Sequence, residues 1–251
     1  MRVSFRVLTL LAASVLAHPV SGFAQAPAPA ADEPRFAVEF GFAIDNSING
    51  NVNSGAIGTY NGVATALLPS SYGDVYGTGI QLRFGGAYLL DNLNEVRAIF
   101  TFQSADADLV RLGDIGPSSL YAQYSDYHSF GLDLGYRRYL PLENHNLRAF
   151  AEASLGAAFV DSINVQFAAP QSNVVFATTD FYDDAAAFTW NIGGGVLFRV
   201  TKSLDVSAQI GLRHVGGLPE VDQLTGSGLS EINNDSARLT FPIVAGVRFR
   251  F

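Results

Sequence analysis

The chain has 251 residues, of which 48% are hydrophobic and only 15% charged, with 25 Gly, 19 Phe and no Cys. So apolar a composition excludes a disordered chain, the glycine and aromatic content argues against a helical bundle, and the lack of cysteine excludes disulfide staples and thiolate chemistry. The formal net charge of −8 argues against a nucleic-acid partner.

At the N-terminus Arg2 and Arg6 precede an apolar run over 7–17, followed by small residues at Gly22 and Ala24. This is the pattern of a cleavable secretory signal covering 1–24. The run is shorter than the ~20 residues of a spanning helix and is broken by His18 and Pro19. No later window is uniformly apolar over that length, so the mean hydropathy of +0.19 has to be arranged in another way. Residues 25–35, QAPAPAADEPR, read as an Ala/Pro-rich leader without periodicity.

From Phe36 onward the period is two. In FAVEFGFAI, Phe36, Val38, Phe40, Phe42 and Ile44 share one face, and Ala37, Glu39, Gly41 and Ala43 the other. The second run, 76–90, sets Ile80, Leu82, Phe84 and Tyr88 against Gln81, Arg83 and glycines. The third opposes Val96, Ala98, Phe100 and Phe102 to Glu95, Arg97, Thr101 and Gln103, with Ile99 as an exception. The fourth opposes Phe130, Leu132, Leu134 and Tyr136 to Ser129, Asp133 and Arg137. Four more runs follow at 147–159, 188–200, 204–214 and 239–251, which predicts eight strands.

The connections after the second, fourth and sixth runs are tight (DNLN, PLENHN, TKS), and the others are long and rich in Gly, Asn, Ser and Asp. Strict alternation of long and short connections is the signature of an antiparallel up-and-down meander, with all long loops at one end. A soluble barrel such as a lipocalin shares the strand count but keeps its charges outside. Here one face carries Glu39, Arg83, Glu95, Arg97, Asp133, Arg137, Arg148, Glu152, Arg199, Asp205, Arg213 and Arg248, with Arg238 and Arg250. Acids and bases together can fill the narrow interior of an eight-stranded barrel as mutually paired groups. The other face carries aromatics near its ends: Phe36, Tyr88, Tyr136, Tyr139, Phe249 and Phe251 on the short-turn side, and Phe42, Tyr76, Phe102, Tyr124, Phe159, Trp190 and Phe241 opposite. Two girdles around an aliphatic band suit a lipid-facing surface, so the expected fold is an all-β, eight-stranded antiparallel transmembrane barrel over 36–251.

Over that span the chain resembles the small outer-membrane barrels of Gram-negative bacteria, the OmpA/OmpX-like and opacity-protein-like superfamily. The most specific element is VAGVRFRF, with Gly246, Phe249 and Phe251 matching that family's C-terminal assembly signal, although Val244 stands where a polar residue is usual. The resemblance implies an outer-membrane location, long loops outside the cell, termini in the periplasm, and contact with lipopolysaccharide and the barrel assembly machinery. No peptidoglycan-binding domain is expected after Phe251.

Candidate chemistry is sparse. Some barrels of this size modify lipid A, and His128, Ser129, Asp126 and His214 are the residues from which a hydrolase triad could be drawn. Neighbours in a strand point to opposite faces, so His128 and Ser129 should not meet, and a headgroup-level role suits His128 better. The four histidines, His145 among them, show no zinc-ligand spacing. Gly193, Gly194 and Gly195 lie within a strand, which suggests close packing of the wall and not a phosphate loop. Acids such as Asp45, Asp74, Asp114, Asp180, Asp183, Asp184, Glu220, Asp222 and Asp235 read as solvated loop residues, with DFYDD at 180–184 the best spot for weak divalent-cation binding. No cofactor, metal or catalytic residue is assigned. The expected role is structural or surface-interactive, with an extracellular ligand reached through the loops; a narrow anion-favouring channel and a lipid A-modifying enzyme are the alternatives.

Overall fold

Alternation becomes eight long strands in the computed structural model, which describes residues 34–140, 146–176, 178–221, 229–234 and 236–251. The expected signal, nearly all of the leader, His145, Asp222 and Asp235 lie outside the described residues. The strands are β1 (Phe36–Asn49), β2 (Thr78–Leu89), β3 (Asn94–Ala105), β4 (Tyr127–Tyr139), β5 (Leu147–Val160), β6 (Ala185–Arg199), β7 (Leu204–Val215) and β8 (Arg238–Arg250). Each pairs antiparallel with its chain neighbours, and β8 pairs with β1 to close the barrel. The closing ladder runs from Ala37 opposite Arg250 to Asn46 opposite Phe241 without a slip. Closure leaves no strand edge with unsatisfied backbone groups, the condition for β-structure in lipid.

The tight turns are built by side chains. In the β2–β3 turn Asp91 Oδ1 accepts from the backbone N–H groups of Leu93 and Asn94 at 2.8 and 2.9 Å. In the β6–β7 turn Thr201 Oγ1 accepts from Leu204 N at 3.1 Å. These local bonds fix the reversals with four residues each.

On the barrel exterior Phe40, Phe42, Leu82, Leu134, Leu155, Phe188 and Ile210 are all exposed. Aromatic rings are not confined to the two ends as the sequence suggested. A ladder of ring contacts runs from Phe40 to Phe84 (5.1 Å), Phe100 (6.4 Å), Phe130 (5.9 Å) and Phe159 (6.2 Å), crossing five strands. Tyr139, expected in a girdle, points into the lumen and is buried.

The long connections are the main departure from the sequence reading. Their described residues form a folded cap, not loose loops. Seven short strands form a second sheet, including Ala56–Tyr60, Val63–Leu67, Leu109–Ile115, Ser118–Tyr124 and Ile163–Ala169. The first hairpin turns at Asn61 and Gly62, both with positive φ (49° and 79°), as a two-residue reversal between right-twisted strands requires. One short helix, α1 (Tyr72–Tyr76), starts with a capping box in which Ser71 Oγ accepts from Asp74 N and Asp74 accepts from Ser71 N, both at 3.1 Å. The hydrogen bonds from Ser71 hold the Asp74 carboxyl below its usual range.

Under the sheet lies a core of its own, with Val52, Leu112, Tyr124, Val165, Phe181, Tyr182 and Ile232 buried. Tyr76 and Tyr124, assigned to the outer girdle from sequence, belong to this core, and burial pushes both phenols up. Their polar ends are satisfied: Tyr76 Oη donates to Ser125 O at 3.1 Å, and Tyr124 Oη accepts from Asn53 Nδ2 at 3.4 Å. Leu112→Ala should destabilise the cap by about 2–5 kcal/mol, the range for emptying a core leucine site. Amide exchange should accelerate in Leu109–Ile115 and Ser118–Tyr124 while β1 to β8 keep their protection; uniform loss across the barrel would contradict an independent cap core.

Candidate functional site

The lumen is the densest concentration of polar groups in the molecule. Its middle tier joins three carboxylates to three guanidiniums. Glu39 on β1 accepts from Arg97, from Arg137 Nη1 at 3.0 Å and from Arg248 Nη1 at 3.3 Å. Glu152 on β5 accepts from Arg97, from Gln209 and from Arg137 Nε and Nη2 at 3.1 and 2.9 Å. Glu95 on β3 accepts from Arg248 and from Tyr139 Oη, the latter at 2.9 Å. Every member also lies close to a second or third opposite charge, as buried ions require if desolvation is to be offset.

Ring faces complete the tier. The Arg137 guanidinium lies 3.9 Å from the centroid of Phe150, and Arg148 lies 3.6 Å from that of Tyr139 while donating to Asn92 O at 2.8 Å. Space for Phe150 comes from Gly195: a Cβ there would stand 2.8 Å from the Phe150 ring and 2.3 Å from Ala208 O. The central glycine run is therefore a packing device. The cavity flanked by Glu39, Arg83, Arg97, Arg137 and Gln209 measures about 30 Å³, room for a water or two.

Of the twelve charges assigned to the lumen, six meet in this cluster and Asp205 pairs with Arg250 at 3.0 Å near the short turns. The remaining five do not behave as mutually paired groups. Among the described residues Arg83, Asp133, Arg148, Arg199 and Arg213 make no ion pair within 4.0 Å; Asp133 instead accepts from Thr189 Oγ1 at 2.6 Å.

An upper tier was missed. Asp45, read as a loop acid, is on β1 and buried, accepting from Gln81 Nε2 at 2.7 Å and Gln103 Nε2 at 2.8 Å. Gln103 Oε1 in turn accepts from Arg238 Nη2 at 3.1 Å, and Arg238 lies over the rings of Tyr127 (3.9 Å) and Tyr72 of α1 (5.3 Å). The signal was available: extending the alternation one residue past Ile44 puts Asp45 on the lumen face.

The candidate triad is not assembled. His128 is exposed on the outer wall, Ser129 is buried on the inner side, and Asp126 Oδ1 accepts from Ala107 N at 2.9 Å. His214 stacks on Trp190 at 5.5 Å. In DFYDD, Phe181 and Tyr182 face the cap core, and among the described residues no group of three or more His, Asp or Glu is placed to hold a metal. Of the C-terminal residues, Phe249 and Phe251 are exposed on the outer rim, Phe251 N donates to Phe36 O at 2.8 Å, and a Cβ on Gly246 would stand 2.6 Å from Phe40 O.

A closed eight-stranded barrel with an apolar exterior and a charged, filled interior defines an outer-membrane β-barrel protein. No protein-family model matches the chain, and no curated protein matches its sequence. Solved structures similar to it include Neisserial surface protein A (12% identity, covering 86% of this chain and 97% of that one, TM-score 0.48). The attachment invasion locus protein Ail of Yersinia pestis (12%, 87% and 99%, 0.41) and the outer-membrane protease OmpT of Escherichia coli (11%, 86% and 97%, 0.44) are also similar in outline. What places this chain in the outer membrane is its own geometry.

Glu152→Gln should lower stability in lipid vesicles by about 3–5 kcal/mol, because Arg97 and Arg137 would stay buried beside a neutral acceptor. The urea midpoint should fall with an unchanged slope, whereas the exposed Glu220→Gln should shift stability by less than about 0.5 kcal/mol. Equal effects would mean that the cluster carries no particular weight.

Proposed function

We propose that the protein is a non-enzymatic, non-conducting barrel that anchors a folded interaction cap at the cell surface. In this reading residues 1–24 direct export, 25–35 form a leader, and 36–251 form the barrel domain with its cap outside the cell. The observation that carries it is the middle tier of the lumen: Glu39, Glu95 and Glu152 bound to Arg97, Arg137 and Arg248 leave room for only a water or two beside them. A barrel filled by its own ion pairs offers solutes no continuous path. The cap, with its own sheet and core, is then the part able to recognise lipopolysaccharide or an extracellular ligand.

Planar bilayers test the sealing. The protein should give no discrete conductance steps, and Glu39→Ala with Glu152→Ala should introduce them by opening the tier. Stable anion-selective steps from the unaltered protein would instead install the channel reading, to which the arginine excess at Arg83 and Arg213 would then be relevant.

The C-terminal residues Gly246, Phe249 and Phe251 serve, in this reading, as the mark recognised by the barrel assembly machinery. Removing Phe251 alone leaves the β1–β8 ladder from Ala37 opposite Arg250 in place, so it should reduce the inserted fraction in cells several-fold while the purified chain still folds into vesicles. Full outer-membrane levels of the truncated chain would count against the assembly role.

A further inference from the structure

Beneath the cap sheet a cavity of about 350 Å³ remains. Leu67 and Leu120, both buried, lie at its base, and Phe167, Tyr60 and Phe176 wall it. Tyr60 and Phe176 meet edge to face with centroids 5.6 Å apart. Thr65, also buried there, already donates its hydroxyl to Val63 O at 3.1 Å. The hydroxyls of half-buried Tyr60 and exposed Thr178 mark the more open side. None of the described residues lining the cavity is charged.

The cavity is open to solvent on one side, and its unfilled apolar walls lack the dispersion contacts that a packed interior supplies. The volume is more than ten times that of the lumen void and falls within the ~300–1,000 Å³ of small-molecule sites. A 150 Å³ cavity holds one benzene, so this one accommodates about two rings. An ionised ligand would lose part of its hydration here and meet no counter-charge among the described lining residues, which favours a neutral one. Three aromatic walls favour ring faces and edges over a flexible chain.

We propose that this cavity binds a small neutral aromatic molecule of about two rings bearing a hydroxyl, its rings between Phe167 and Phe176 and its hydroxyl at the Tyr60 and Thr178 side. The proposal rests on the cap being the interacting element and is independent of whether the lumen conducts.

The test uses the full chain in lipid nanodiscs with methyl-labelled Leu and Ile, titrated with 2-naphthol and, separately, 2-naphthoate. Methyl shifts of Leu67, Leu120 and Ile115 should saturate with 2-naphthol, while those of the lipid-facing Leu132 and Leu155 should move only in proportion to partitioning. The charged 2-naphthoate should bind at least about tenfold more weakly. Leu120→Trp fills the space and should abolish saturation. Should that variant disturb the cap, Phe176→Ala at the half-buried wall should weaken binding several-fold while the Leu112 and Ile232 methyls of the cap core stay in place. Unsaturable cap shifts, or equal binding of 2-naphthoate, would falsify the proposal. Amide exchange lacking any protection in the cap would instead remove the reading on which it rests, and conductance steps alongside saturable 2-naphthol binding would remove only the sealed lumen.

Discussion

Hydrocarbon offers a backbone N–H nothing to bond to, so the structure depends on the ladder that joins the first barrel strand to the last. That ladder fixes more than closure. Glu39 lies opposite Arg248 and Phe40 opposite Val247, so one pairing sets charge inward and apolar surface outward for both strands. Sliding either strand by one residue would turn Arg248 to lipid and Val247 to the lumen, and the cost of a bare guanidinium in hydrocarbon excludes that register. The ion cluster therefore selects the register as well as filling space.

Filling the interior is the second constraint, and it explains residue size as much as residue charge. An inner wall lined throughout by arginine and glutamate would be overfull, so small inward residues stand opposite large ones. Phe150 occupies the space left by Gly195, and Ile99, the apolar exception on its strand, occupies that left by Gly85, where a Cβ would lie 2.5 Å from Ile99 Cδ1. Ile99 is thus no error in the alternation: it is an inward side chain packed across a glycine. The result is a lumen in which aromatic faces, ion pairs and glycines interlock, and whose remaining void beside the cluster is of water size.

The barrel was legible because period two is a strong signal when it lasts ten residues and when one face is charged. All eight runs became strands, and the inward assignments of Glu39, Glu95, Arg137 and Arg248 agree with their burial. The reading failed where the pattern was short or ended in polar residues. Asp45 was lost because Asn46 and Ser47 follow it and look like a loop. Tyr139 was placed in lipid because an aromatic at a strand end fits a girdle; it closes the tier by bonding to Glu95. Pairings such as Arg137 with Glu152 follow from strand adjacency, but the bond from Gln209 to the same carboxylate spans the intervening β6 and leaves no local trace in the sequence. The cap was hidden for a similar reason. Runs such as VATAL and SSLYAQY alternate for only five to seven residues, and each has one of its two partners in another connection.

Once the barrel forms, those distant partners are no longer distant. The strand ends hold the long connections side by side, so most of the chain entropy of bringing 63–67 next to 109–115, or 118–124 next to 163–169, is already lost. Short alternating runs that would not pair in isolation can then form a sheet with a buried face. The contact between the two parts is specific: Arg238, at the top of the last strand, bonds to Gln103 in the lumen and lies against Tyr72 of the cap helix and Tyr127. The cap thus inherits its order from the barrel without being exposed to lipid. It is free to keep a cavity with no charged group among its described lining residues at the part of its sheet that holds Tyr60, Phe167 and Phe176, where neither closure nor lumen filling constrains the residues.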